Sequence, residues 1–133
     1  MRYYNLYKYD KECEEYLSYN IIKYHRSLFA QFRSGILPLH IETGRFRGLD
    51  LSDRICPICE SEVEDEVHFL CKCPKYNDYR QIMFRKATSI NPDFNTIDVF
   101  DQFVFLMSNL QKDVIRFLVK SVEIRKSIVN VAI

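Results

Sequence analysis

The chain has 133 residues with 19 basic and 18 acidic side chains, a formal net charge of +1, and 47% of its residues are hydrophobic. That length and apolar content suit one domain with a substantial core and exclude a disordered chain. No apolar run approaches the roughly 18 residues that a membrane span needs, so no membrane association is expected.

In chain order, the first feature is a tyrosine-rich start, Tyr3, Tyr4, Tyr7 and Tyr9, beside Arg2 and Lys8. These rings suit stacking on unpaired bases or packing against another domain of a larger protein, and the second reading is preferred. No signal-peptide pattern opens the chain. Reduced thiols and an intracellular location, nuclear or cytoplasmic, are therefore expected.

Leu17, Ile21, Tyr24 and Leu28 recur at helical intervals, and Ile22, Phe29 and Phe32 widen the stripe, which predicts a helix from about Lys11 to Arg33. Cys13 reads as packing within it. Gly35 suits a C-terminal cap. The segment Ile36 to Leu39 is too short and proline-interrupted for a central strand, and it leads into a short helix through His40, Ile41 and Glu42 that Gly44 halts. His25 and His40 have no ligand-spaced partners and read as surface or packing histidines.

Cys56, Cys59, His68 and Cys73 then form C-x2-C-x8-H-x4-C. Three thiolates and an imidazole suit zinc, and four protein ligands leave no position for substrate or water, so a structural role is expected rather than catalysis. Pro57 presets one backbone angle in the tight turn that brings Cys56 and Cys59 onto one ion. A short helix from Glu66 to Cys71 has to unwind before Cys73 faces the same ion, and Pro74 fits that break. Cys71, at i+3 from His68, is a rival fourth ligand, although it also reads as a buried apolar residue. Two disulfides with an odd thiol are the alternative use of five cysteines; the expected reducing compartment favours the metal.

Beyond the motif, Tyr76, Tyr79, Ile82 and Met83 predict a helix from Lys75 to about Ala87. Asn91, Pro92 and Asp93 make a turn. Thr96 is the expected cap of a helix carrying Val99, Phe100, Phe103, Val104 and Met107, which breaks near Ser108 and Asn109. A last helix from about Gln111 to Ile128 presents Val114, Ile115, Leu118, Val119 and Val122 to the core. Its opposite face carries Lys112, Asp113, Arg116, Lys120 and Glu123, and the tail from Ser127 to Ile133 reads as frayed helix or extended chain. The fold class expected is all-α: a small helical domain with an embedded Cys3His zinc knuckle. The chain reads as a single domain over 1–133, with an N-terminal helix and basic lead over 11–54, the knuckle over 55–76 and C-terminal helices over 77–133.

The near-zero net charge conceals segregation. Lys23 to Arg54 carries a surplus of +3 and Lys72 to Lys86 a surplus of +4, on either side of the acids Glu60, Glu62, Glu64, Asp65 and Glu66. The basic stretches either share one face, which suits a phosphate backbone, or pair with the acids and cancel the field.

The run from Phe32 to Arg47 (Phe-Arg-Ser-Gly-Ile-Leu-Pro-Leu-His-Ile-Glu-Thr-Gly-Arg-Phe-Arg), with Arg54-Ile-Cys-Pro-Ile-Cys59, Glu64-Asp-Glu-Val-His-Phe-Leu70 and Cys73-Pro-Lys-Tyr76, resembles a known pattern. It is similar to the zinc-binding region that follows the polymerase in reverse transcriptases of LINE-type (non-LTR) retrotransposons, over roughly residues 26 to 85. The resemblance implies that Cys73, rather than Cys71, completes the ligand set with Cys56, Cys59 and His68. It also implies contact with RNA or DNA, and it makes polymerase domains of a parent polyprotein candidate partners. A polymerase palm needs paired aspartates for two metal ions, and no Asp-Asp pair occurs in the chain. The expected function is a non-catalytic, zinc-stabilised nucleic-acid-binding accessory module. Arg33, Arg45, Arg47 and Arg54 before the knuckle, and Lys72, Lys75 and Arg80 after it, are the candidate phosphate ligands. Phe46, Tyr76 and Tyr79 are candidate stacking rings. The alternative is a zinc-stabilised helical scaffold that docks on another protein.

Overall fold

The computed structural model describes residues 22–129, so the tyrosine-rich start, Cys13, the beginning of the expected first helix and the last four positions lie outside the described residues. Five α-helices carry the rest: α1 (Lys23–Ser34), α2 (His40–Phe46), α3 (Asn77–Ile90), α4 (Val99–Asn109) and α5 (Gln111–Val129). Among the described residues the only β-type pairing is an isolated antiparallel bridge between Ile55 and Val63. The domain is all-α.

α1 turns Leu28, Phe29 and Phe32 into the core, while Ile22 and Tyr24, on the expected apolar stripe, are exposed. Gly35 ends α1 at φ 74°, a left-handed conformation that costs glycine little, and the Ile36 N–H closes back on the Gln31 carbonyl at 3.0 Å. Leu37 and Leu39 are then buried on either side of Pro38.

α2 does not stop at Gly44. It runs through to Phe46, and Gly44 is buried inside it. Close approach is the reason: a Cβ on Gly44 would stand 2.6 Å from Cγ of Arg54, whose side chain crosses the helix at that point. The Arg54 guanidinium reaches over to donate to the carbonyls of Ile41, at 3.1 Å, and Leu49, at 3.1 and 3.0 Å.

α5 is the central element, packing against α1, α3, α4 and the turn that bears His68. Val114, Ile115, Leu118 and Val122 are buried along it as the periodicity predicts, but so are Phe117, Ser121, Arg125 and Asp113. Asp113 was expected on the solvent face; it instead accepts from Lys86 at 2.9 Å and Arg116 at 3.3 Å. α3 begins two residues after the expected start, because Pro74–Tyr76 forms a separate 3-10 turn. The cap of α4 is Asp98, which accepts from the Phe100 N–H at 3.0 Å, whereas Thr96 closes the preceding turn onto Asp93. Aromatic rings join these helices to the cysteine-bearing loop. Phe69 lies 4.9 Å from Tyr76 and 5.9 Å from Phe117, and Phe32 bridges from Phe69 to Phe103.

Candidate metal centre

Two short chain segments bring the ligand atoms together. The first is a tight hairpin: Cys56 N–H donates to Glu62 at 2.8 Å and Glu64 N–H to Arg54 at 3.0 Å, so both arms are registered across the Ile55–Val63 bridge. Its tip reverses through Pro57 and Ile58, with Glu60 at φ 56° and its N–H on the Cys56 carbonyl at 3.0 Å. Cys56 and Cys59 thereby face inward. The second segment is a helical turn widened to five residues, His68–Lys72, in which the Cys73 N–H donates to the His68 carbonyl at 2.8 Å. An ordinary α-turn closes four residues back; the extra residue rotates Cys73 onto the side that His68 occupies. Such π-turns recur at functional sites.

The result is a group of four side chains, Cys56, Cys59, His68 and Cys73, whose ligand atoms all lie within 4.8 Å of one another. Cys59 Sγ is 3.3 Å from His68 Nε2. Around a tetrahedral zinc-sized ion, with Zn–S near 2.3 Å and Zn–N near 2.0 Å, neighbouring donors stand about 3.5 to 3.8 Å apart, so the donor set fits such a cation. Cys71 is outside the group. It packs on the core, and burial pushes its thiol up to about 12.

The surroundings orient the ligands. His68 Nδ1 lies 2.8 Å from Glu62 Oε1, which fixes the tautomer with Nε2 toward the thiols, and Lys72 holds the other oxygen of Glu62 at 3.2 Å. Ser61 Oγ sits 3.1 Å from Cys59 Sγ. In the absence of a cation, a hydrogen bond with Cys73 and then burial push the Cys56 thiol up to about 12, while the same bond holds Cys73 below the ordinary thiol value. Burial opposes a charge on His68, yet hydrogen bonds to Cys56 and Glu62 and the neighbouring thiolates outweigh it and hold the imidazole up at about 9. Burial likewise works against ionised Glu62, but His68 and Lys72 prevail and depress it.

Glu64, inside the acidic loop, is fully buried and ties the hairpin to two helices. Its carboxylate accepts from the His40 backbone N–H at 2.6 Å and from the Arg125 guanidinium at 2.9 and 2.7 Å. His40, expected at the surface or in packing, sends Nδ1 to the Ile55 carbonyl. Within the acidic run, Glu62 is distinguished in the sequence only by its place six residues before His68.

The seven basic candidates separate by place. Arg33 and Arg80 are each only 4% exposed. Arg80 donates to the carbonyls of Leu70 at 2.8 Å and Phe69 at 3.2 Å, which the end of the His68 turn leaves without helical partners. With Arg54 held on Ile41 and Leu49, Arg80 and Arg54 are occupied in the fold, and Arg33 is enclosed by it. Arg45 and Lys72 are exposed and paired, with Glu42 at 2.9 Å and Glu62 at 3.2 Å. Arg47 and Lys75 are exposed.

Fold and site together define a small helical domain organised around a Cys3His group. Comparison with protein-family models, curated proteins and solved structures returns no match. No helix among the described residues is long and apolar enough to cross a membrane.

Proposed function

We propose that this domain is a zinc-stabilised, non-catalytic module that binds nucleic acid, RNA or DNA. The observation that carries the zinc assignment is the convergence of three sulfurs and one imidazole, with Glu62 behind the histidine. Thiolate-rich tetrahedral sets favour zinc over harder ions. The bound ion supplies a cross-link between hairpin and turn, and four protein ligands leave no open position for a reactive water. Nucleic-acid binding is supported by Arg45, Arg47, Lys72 and Lys75, which stay at the surface on the segments flanking the group, and by the resemblance to the zinc-binding region of LINE-type reverse transcriptases. On that resemblance, polymerase domains of a parent polyprotein are neighbours in the working protein.

The test is metal analysis of the purified chain followed by a salt titration of binding to single-stranded RNA and duplex DNA. One equivalent of zinc, and an affinity that falls steeply with salt, are expected. Binding to neither at low salt removes the nucleic-acid reading. A second reading, a scaffold that docks on a protein, is favoured by one feature: an apolar groove between α3 and α5 lined by Tyr79, Met83 and Phe117, with Ile82 exposed at its edge.

A further inference from the structure

Among the three rings suited to stacking, the fold leaves one in solvent. Tyr76 is fully buried between Phe69 and Phe117. Tyr79 is half-buried, with the Lys120 ammonium 6.0 Å from its ring. Phe46, the last residue of α2, is 80% exposed. It is the most exposed large apolar side chain among the described residues, which gives this position a claim to a specific explanation.

Its neighbours supply one. The Arg45 guanidinium lies over the Phe46 ring at 5.1 Å, and Glu42 holds that guanidinium at 2.9 Å. Arg47 follows at the helix end, exposed, with its guanidinium engaged by nothing among the described residues. The ring also stands on a fixed element. Glu64 accepts from the N–H groups of both His40 and Ile41, at the start of α2, and Arg54 holds the Ile41 carbonyl at 3.1 Å. α2 is thus clamped to both arms of the metal-bearing hairpin.

We infer that Phe46, flanked by Arg45 and Arg47, is a stacking platform for an unpaired base of a single-stranded nucleic acid. This deepens the nucleic-acid reading and rests on it. A base offers a flat π-face to a ring whose stacking partner on one side is already a guanidinium, while Arg47 meets the adjoining phosphate. Duplex bases have no free face, which selects single strands. An apolar protein partner is disfavoured because seating it on Phe46 would strip water from two guanidinium groups, whereas anchor residues of protein interfaces lie in surroundings that dehydrate readily.

The experiment uses the full chain loaded with zinc and labelled oligo(U), oligo(dT) and duplex probes of about 12 nucleotides, within the span one such module covers. Phe46→Ala and Phe46→Leu are expected to weaken binding to either single strand on the order of ten-fold and to leave duplex binding unchanged, since Leu restores apolar bulk but not the π-face. Phe46→Trp should retain binding. The chain has no tryptophan, so the indole in that variant reports alone, and single strands should quench it. If the wild-type chain binds nucleic acid but Phe46→Ala binds single strands equally well, or loses duplex affinity by the same factor, the platform is refuted and the broader reading stands. Failure of the wild-type chain to bind any probe at low salt removes both. A change of oligomeric state in Phe46→Ala makes the ring a protein contact and overturns the inference.

Discussion

The Glu64 carboxylate and the Arg125 guanidinium meet in the interior across 61 positions of sequence, in a paired bond with Nε at 2.9 Å and Nη2 at 2.7 Å. Burial works against the charge on Arg125, but the bonds to Glu64 outweigh it and raise its affinity for the proton. Because Glu64 also holds the start of α2 and lies 3.9 Å from Cys56 Sγ, this one pair fastens the last helix to the cysteine-bearing hairpin.

Removing one partner leaves the other charge buried and uncompensated, which typically costs about 3 to 5 kcal/mol. Glu64→Gln or Arg125→Met is therefore expected to lower stability by that order in denaturant titrations of the zinc-loaded protein. A double replacement by apolar residues should cost less than the two single changes combined. Near-additive losses in the double-mutant cycle would show that the two groups do not depend on each other.

Substitutions should separate the ligand cysteines from Cys71. Cys59→Ser or His68→Ala is expected to reduce zinc content and melting temperature together, whereas Cys71→Ser should keep full zinc. Undiminished zinc in either ligand variant would mean that the wrong atoms have been assigned.

Acidity should act in opposite directions on the two forms of the protein. In the metal-free chain His68 titrates at about 9 against an ordinary 6.5, so its contribution to stability is present below 6.5 and is lost as pH rises through about 9. On the proposed zinc assignment, uptake displaces protons from His68 and from the Cys56 thiol, so affinity is expected to fall as pH falls. The melting-temperature gap between zinc-loaded and chelator-treated protein should widen from about pH 6 to 8. A constant or shrinking gap would contradict this proton accounting.

Gly44→Ala places a Cβ 2.6 Å from the Arg54 stem. Overpacking of this kind costs about 1 to 3 kcal/mol, despite alanine's better helix propensity. A stabilised variant would show that Arg54 can withdraw without loss.

Local chemistry was readable from sequence and long-range pairing was not. Cys56, Cys59 and His68 declare themselves because ligand spacing is a short-range property, and so do the core face of α5 and the Leu28, Phe29 and Phe32 part of α1, because periodicity is one too. Charges mislead for the same reason: Arg33, Arg80 and Arg54 read as solvent-facing cations, yet Arg33 is buried and the donors of Arg80 and Arg54 are spent on backbone carbonyls that only the folded chain brings within reach. Gly44 reads as a stop signal, since the side chain that needs its missing Cβ comes ten residues later. Arg125 stands on a helix with no local hint that its partner lies in the acidic loop.

The five-residue closure between His68 and Cys73 makes the length of that interval a structural constant. Deleting Lys72 would turn the sulfur by roughly 100° about the local axis, one helical step, and carry it away from the imidazole. Length variation around this centre should therefore collect outside the span from Cys56 to Cys73, where an added residue re-aims no donor.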